Sequence, residues 1–205
     1  MIDRDMLNNH LIIFARQPRM GRVKTRLAKD IGRVAAWNFY RHILSRTVST
    51  LTKNRRWKTV LALTPDRAIH QHPPWRTGLM TPRIPFIAQG SGDLGCRMQR
   101  IFRNLPPGPV IIIGADIPDI RACYIDRAFK ILGHKRCVFG PADDGGYWLV
   151  GCNRRPRLPE LFKNVRWSTE FALKDTLDPL PPSVTVGFAK QLSDIDTGGD
   201  LKKRN

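Results

Sequence analysis

The sequence predicts an α/β domain built on a single, mainly parallel, Rossmann-like sheet flanked by helices, and three observations lead there. Apolar runs of strand length alternate with helical patterns through the first two thirds of the 205 residues, as right-handed βαβ units require. The runs at residues 11–15 and 110–113 are short, continuous and rich in branched side chains, the pattern of strands buried on both faces. No internal repeat, low-complexity tract or interdomain linker interrupts the alternation, so residues 1–205 are expected to form one domain.

The elements follow in order. Residues 11–15 form the first strand, and a basic loop leads from Arg16 to Arg26 into a long helical pattern over 27–51, with Ala35, Phe39, Ile43 and Leu44 available for its apolar face. Residues 60–63 form the second strand, which Pro65 ends; a Pro-rich surface connection with a short helix at 68–72 runs to Pro85. A third strand at 86–88 leads through residues 89–95 into a helix carrying Met98, Ile101 and Phe102. After the strand at 110–113 come a helix at 122–132, strands at 137–139 and 147–150, a helix at 171–177 and a late strand at 184–186.

Composition narrows the function classes. With 41% hydrophobic residues there is enough for one core, and neither a signal-peptide run nor a stretch of transmembrane length is present, so a cytoplasmic protein is expected. Cys96, Cys123, Cys137 and Cys152 include no C-x-x-C pair and no His cluster joins them, which argues for buried free thiols over zinc or disulfides. Lys and Arg outnumber Asp and Glu by 35 to 17, for a net charge of +18, a field that attracts polyanions. The basic residues are spread along the chain without a tail, zinc finger or aromatic RNA-binding signature, so dedicated nucleic-acid binding is disfavoured against general surface basicity.

Four segments carry chemistry. In Val110-Ile111-Ile112-Ile113-Gly114-Ala115-Asp116-Ile117-Pro118-Asp119, a buried strand runs into a glycine that admits a ligand and a proline that stops the strand. Asp116 then stands at the strand's carboxyl end, where α/β sheets bind ligands, as a metal ligand for Mg²⁺ or Mn²⁺ holding a diphosphate; the alternative is that Asp116 or Asp119 caps the next helix. The first loop sets Arg16, Arg19, Gly21, Arg22, Lys24 and Arg26 between a strand and a helix N-terminus, an anion cradle without Walker or dinucleotide glycine spacing. In Gly140-Pro141-Ala142-Asp143-Asp144-Gly145-Gly146-Tyr147-Trp148, glycine backbone can lie against a substrate while Asp143 or Asp144 binds hydroxyls or acts as base; a turn with solvated acids is the alternative. Asp194-Ile195-Asp196-Thr197 can cap a helix or, folded back beside Asp116, share one divalent ion with it.

Together these segments resemble DUF2064, a bacterial family of glycosyltransferase-like proteins also known as radical-SAM/selenodomain-associated transferase 1. The resemblance runs through nearly the whole chain. It rests on the loop at residues 14–27, D-L-G-x-R-M at 93–98, G-x-D-x-P-D at 114–119, G-P-A-x-D-G-G-Y at 140–147, W-S-T at 167–169 and D-x-D-T at 194–197. It implies a GT-A-like nucleotide-diphospho-sugar transferase fold, similar to phospholactate and molybdopterin guanylyltransferases. It also implies Asp116 as main metal ligand with Asp196 as second, Arg16, Arg22, Lys24 and Arg26 on the nucleotide phosphates, and residues 92–97, including Gly92, Asp93 and Arg97, near base or ribose. The chain departs from the family pattern at Arg16, Met20, Cys96, Ile117 and Gly198-Gly199, and the last departure makes the C-terminal loop more flexible.

The expectation is a Mg²⁺- or Mn²⁺-dependent transferase using an activated nucleotide, with a nucleotide-sugar donor and a small-molecule acceptor entering near Asp143, Asp144, Gly145, Gly146 and Trp148. Trp148 and Trp167 stack on a sugar face or fill the core. Nucleotidyl transfer to a phosphorylated acceptor, and a non-catalytic nucleic-acid-binding role for the same fold, are the two rivals.

Overall fold

The structure, a computed structural model, describes residues 9–70, 84–154 and 158–202. Seven strands, β1 (His10–Arg16), β2 (Lys58–Thr64), β3 (Phe86–Ala88), β4 (Pro109–Gly114), β5 (Cys137–Pro141), β6 (Tyr147–Asn153) and β7 (Val186–Phe188), form one sheet in the order β3-β2-β1-β4-β6-β5-β7. Every neighbouring pair is parallel except those of β6, which runs antiparallel to both β4 and β5. The helices are α1 (Leu27–Ile31), α2 (Arg33–Thr52), α3 (Leu94–Asn104), α4 (Ala122–Leu132), α5 (Ala172–Leu177) and α6 (Gly198–Lys202).

Both faces of the sheet are covered, which is why its central strands read as unbroken apolar runs. Leu11, Ile13, Ile111 and Ile113 pack on one face with Tyr40, Leu44, Val48 and Leu51 of α2 and Ile125, Phe129 and Leu132 of α4. On the other face Ile12, Val110 and Ile112 meet Met98, Ile101 and Phe102 of α3. From β1 the chain moves outward to β2 and β3, then crosses back to β4 on the opposite side of β1. The carboxyl ends of β1 and β4 therefore flank the point where the crossovers diverge, the crevice in which open α/β sheets take ligands. Phe14 of β1 pairs with Gly114 of β4, so the loops that follow them start side by side.

The expected helix over 27–51 is two helices. Gly32, at φ +86°, ends α1 and begins α2; only glycine holds that backbone without strain. Ile43 and Leu44 are buried as expected, but nearer the start of α2 the buried residues are Ala36 and Tyr40, one position on from the expected Ala35, which is exposed, and Phe39, which joins a satellite cluster around Leu27, Ala36 and Ile195. The last strand begins two residues later than expected, at Val186, and a 3-10 turn at Asp66–Ile69 replaces the short helix. His72 and the Pro-rich segment to residue 83 lie outside the described residues. Cys137 and Cys152 are buried opposite each other on β5 and β6 with Sγ atoms 3.8 Å apart, whereas Cys96 and Cys123 are exposed, against the expected burial.

Gly145 has a similar backbone to Gly32 in very different surroundings. At φ +80°, a Cβ there would lie 2.1 Å from the Glu170 carbonyl oxygen, whereas a Cβ at Gly32 would meet nothing within 4 Å. Gly32→Ala should thus lose about 1–2 kcal/mol, the left-handed backbone penalty alone. Gly145→Ala adds a steric clash and should lose roughly 2–5 kcal/mol in urea unfolding; equal losses would show that the contact relaxes freely.

Candidate active site

The loop after β1 is folded onto α2 by side chains. The Tyr40 hydroxyl accepts from the Arg16 amide and donates to the Arg16 carbonyl, both at 2.9 Å, and Trp37 Nε1 donates to the Pro18 carbonyl. Burial, with the Asp116 charge adding, raises the Tyr40 pKa, so the phenol stays protonated and able to donate. Arg16 in turn donates to the Arg22 carbonyl, closing the loop on itself. The loop leads into α1, which is only five residues long, with α2 starting beyond it, and the positive charge at the site is carried by side chains.

Lys24 supplies it at the centre. Its backbone sits at φ +46°, its side chain is 4% exposed, and its ammonium lies 2.9 Å from Asp116 Oδ2 and 2.7 Å from Asp196 Oδ1. Burial pulls its pKa down, but the two carboxylates outweigh burial and hold it above the ordinary lysine value. Arg26 approaches Asp196 from outside at 3.7 Å. A third acid, Asp194, completes the group: one carboxylate oxygen from each of Asp116, Asp194 and Asp196 lies within 4.8 Å of the others. Burial, with Asp196 beside it, pushes Asp194 up to about 6; Asp116 and Asp144 add to the shift and Lys24 opposes it. The cluster thus holds more negative charge than Lys24 balances.

The C-terminal segment is fastened into this position along its length. The Trp148 indole donates to the Lys190 carbonyl at 2.9 Å, and Asp143 accepts from Gln191 and Ser193. Asp200 accepts from the amides of Asp196 and Thr197, and Asp30 of α1 accepts from the Gly198 amide at 2.7 Å. A Cβ on Gly198 would come within 2.8 Å of Asp30 Cβ, so this departure from the family pattern makes a close contact, where added flexibility was expected.

Three cavities adjoin the acid cluster, the first two sharing Asp116. The first, about 290 Å³, is lined by Arg16, Lys24, Thr25, Arg26, Tyr40, Asp116 and Asp196. A second of about 340 Å³ shares Phe14 and Asp116 with it and runs between α3, β6 and α5, with Leu94, Met98, Trp148 and Trp167 on its walls and Asp144 and Asp194 at its rim. The third, about 490 Å³, is bordered by Arg26, Asp119, Asp143, Asp144, Asp194, Asp196 and Asp200.

The sequence-expected residues separate accordingly. Asp116 and Asp196 come together as expected, and Arg16, Lys24 and Arg26 line the first cavity, while Gly21 and Arg22 are exposed beside it. Lys24 points into the acid cluster, so its expected free approach to phosphates is not the arrangement seen. Gly92, Asp93 and Arg97 line none of the three cavities. Asp93 caps α3 by accepting from the Cys96 amide at 2.7 Å, and Arg97 donates to Gln89, which bridges the carbonyls of Ala15 and Ala62. Asp143 and Trp148 fasten the C-terminal segment, and Trp148, 3% exposed, is chiefly core. Of the room expected beside Gly145 and Gly146, the Gly145 side is filled by Glu170 backbone, whereas Gly146 lines the second cavity next to Asp144. Sequence reasoning missed Tyr40, Gln89 and Asp30 as supports, since a lone polar residue within an apolar or basic stretch carries no signal of its distant partner. Asp194 was visible only as the other acid of its motif.

This is the fold of nucleotide-diphospho-sugar transferases and nucleotidyltransferases, with an acid cluster and a basic loop at its switch point. The chain belongs to DUF2064, a family of uncharacterised proteins conserved in bacteria, whose model matches residues 47–169. A candidate nucleotide-diphospho-sugar transferase from Desulfovibrio desulfuricans G20 is 29% identical, with TM-score 0.83 over 94% of this chain and 84% of that one. The fold alone is shared with 4-diphosphocytidyl-2C-methyl-D-erythritol synthase from Anaerococcus prevotii, at TM-score 0.57 and 12% identity over 96% and 95% of the two chains. The same holds for a nucleotidyl transferase from Methanothermobacter, at TM-score 0.57 and 11% identity over 96% and 95%. No curated protein matches the sequence.

Asp30 lies outside every one of the three cavities yet holds the segment that carries two of the three acids. Asp30→Ala should speed hydrogen exchange of the amides at 196–201 while leaving those of β1 and β4 protected. Unchanged exchange at 196–201 would mean that Asp200 and the Ile195 cluster hold the segment unaided.

Proposed function

We propose that this chain is an enzyme, a divalent-metal-dependent transferase that uses an activated nucleotide, with a nucleotide sugar as donor. The observation that carries it is the meeting of three carboxylates at the switch point, between a basic cavity and an apolar one. Oxygens on opposite sides of a Mg²⁺ ion lie about 4.2 Å apart, so three oxygens within 4.8 Å need only small side-chain rotations to share one. The donor set is all carboxylate, the chemistry that suits Mg²⁺ or Mn²⁺. Lys24 already marks a cation position between two of the acids.

Asp116, Asp194 and Asp196 would hold the ion, which when bound supplies charge neutralisation for a leaving diphosphate. Arg16 and Arg26 bind the phosphate oxygens from the first cavity, and Lys24 reaches them by turning away from Asp196. The acceptor lies in the second cavity with its hydroxyl toward Asp144. That carboxylate takes the hydroxyl proton as the new bond to the donor forms and the bond to the diphosphate breaks. Nucleotidyl transfer is the second reading, favoured by the number of cations at and beside the first cavity, which would suit a triphosphate. Product analysis separates the two: nucleoside diphosphate released from a sugar nucleotide marks glycosyl transfer, and pyrophosphate from a triphosphate marks nucleotidyl transfer.

Two substitutions should move metal affinity in opposite directions. Asp116→Asn removes a ligand charge and should abolish Mn²⁺-dependent nucleotide binding in a folded protein. Lys24→Ala removes the competing cation and should tighten Mn²⁺ binding without nucleotide, by calorimetry, while weakening nucleoside diphosphate by roughly 1.5–3 kcal/mol and leaving free nucleoside unaffected. Weaker Mn²⁺ binding in Lys24→Ala would contradict the shared site.

Asp144 accepts from the Gly146 amide and stands exposed, lining both the second and third cavities. Asp144→Asn should keep metal-dependent nucleotide binding and lose transfer by about a hundredfold or more. Lost nucleotide binding would make it a metal ligand, and full transfer would reduce it to a turn residue.

A further inference from the structure

The second cavity is chemically unlike the rest of the molecule. Lys and Arg outnumber Asp and Glu by two to one in this chain, yet among the described residues no Lys or Arg lines that cavity. Its walls are Leu94, Met98, Tyr147, Trp148 and Trp167, and Asp116, Asp144 and Asp194 border it. The Lys24 ammonium is engaged with Asp116 and Asp196 on the side of the first cavity, so Asp144 and Asp194 border the second without a cation of their own. The third cavity, which continues from Asp144 and Asp194, adds Asp119, Asp143 and Asp200 and only one cation, Arg26.

A phosphate or carboxylate placed in the second cavity would therefore meet carboxylates at close range in a partly water-excluded space, where like charges repel most strongly. An uncharged ring or hydrocarbon would instead cover the two indoles and the Leu94 and Met98 side chains, and its hydroxyl would find carboxylate acceptors in Asp144 and Asp194. We propose that the acceptor is a hydroxyl compound with an apolar or aromatic body and no negative charge, and that this cavity discriminates against phosphorylated acceptors. The inference rests on the transferase reading in one respect: that reading makes the occupant of the second cavity the acceptor. It also separates this site from the phosphorylated acceptor expected of a nucleotidyltransferase rival, because among the described residues no Lys or Arg lines the cavity to pair with a dianion, and the ion proposed on Asp116, Asp194 and Asp196 is taken up by the donor's diphosphate.

The test uses the full chain with ¹⁵N-labelled tryptophan and two probes that share a ring: phenyl β-D-glucopyranoside, which is neutral and hydroxylated, and phenyl phosphate. The indole of Trp167 lines the second cavity, whereas Trp57, hydrogen-bonded to the Leu51 carbonyl, lies in the core on the far face of the sheet. The glucoside should shift the Trp167 resonance and leave that of Trp57 in place, at a half-saturating concentration at least tenfold below that of phenyl phosphate. Ser168→Lys sets a cation at an exposed position on the cavity wall and should shift the preference at least tenfold toward phenyl phosphate. Equal or tighter binding of phenyl phosphate to the native chain at Trp167 would overturn the proposal, as would failure of the glucoside to move that resonance. Mn²⁺-dependent binding of uridine diphosphate, measured on the same sample, isolates the underlying reading. Its absence beside a normal glucoside response would overturn the transferase reading, and with it the acceptor role.

Discussion

The Lys24 ammonium, 2.9 Å from Asp116 and 2.7 Å from Asp196, joins segments that lie 92 and 172 residues apart in the chain. Without it, the loop after β1, the end of β4 and the C-terminal segment would bring two carboxylates together with no charge between them. Taking an ammonium out of water is expensive unless close partners compensate, and two carboxylates at hydrogen-bonding distance do so. The sheet sets the distance, since the Phe14 to Gly114 pairing fixes where both loops begin. Lys24 itself has a positive φ, strain of the kind that concentrates where surrounding structure over-determines a residue.

A segment with little regular structure can place two acids accurately only if something else holds it. Here the hold is distributed over β6, the β5–β6 turn and α1, through Trp148, Asp143 and Asp30. Each of these residues would read as functional in isolation: an aromatic beside a glycine turn, one of two adjacent acids, an acid in a short helix. Their partners show them to be positioning residues. Buried hydrogen bonds to backbone carbonyls and amides are the common use of such side chains, and they leave Asp144 and Asp194 as the acids that border the second cavity.

What could be read from the sequence was set by periodicity. The β1, β3, β4 and α4 segments were legible because their apolar pattern is strong and their ends are marked by Pro or Gly, and the acid at the end of β4 was legible because strand-end position is a chain-local property. The Gly32 break was not, since one glycine inside a long helical pattern is tolerated in many helices; the cost was a face one residue out of register near the start of α2. The joining of Asp116 with Asp194 and Asp196 could be stated only as a condition, because closing a loop of that length depends on α1, β6 and the β5–β6 turn, which no local pattern encodes. Around Gly92, Asp93 and Arg97 the motif's spacing also reports the start of α3, which Asp93 caps, and Leu94 of the same segment lines the second cavity.

The distribution of charge gives the site its direction. Outside, a net +18 draws anions toward the molecule over distances set by ionic strength. At the switch point three carboxylates, Asp116, Asp194 and Asp196, gather around Lys24, with Arg26 approaching Asp196 from outside. A polyphosphate guided in by the surface is repelled by that cluster unless it arrives with a cation. On the proposed reading, such a field favours a nucleotide that carries its own divalent ion over a bare one. The apolar cavity also borders Asp116, so the proposed donor and acceptor would approach one carboxylate from different chemical environments.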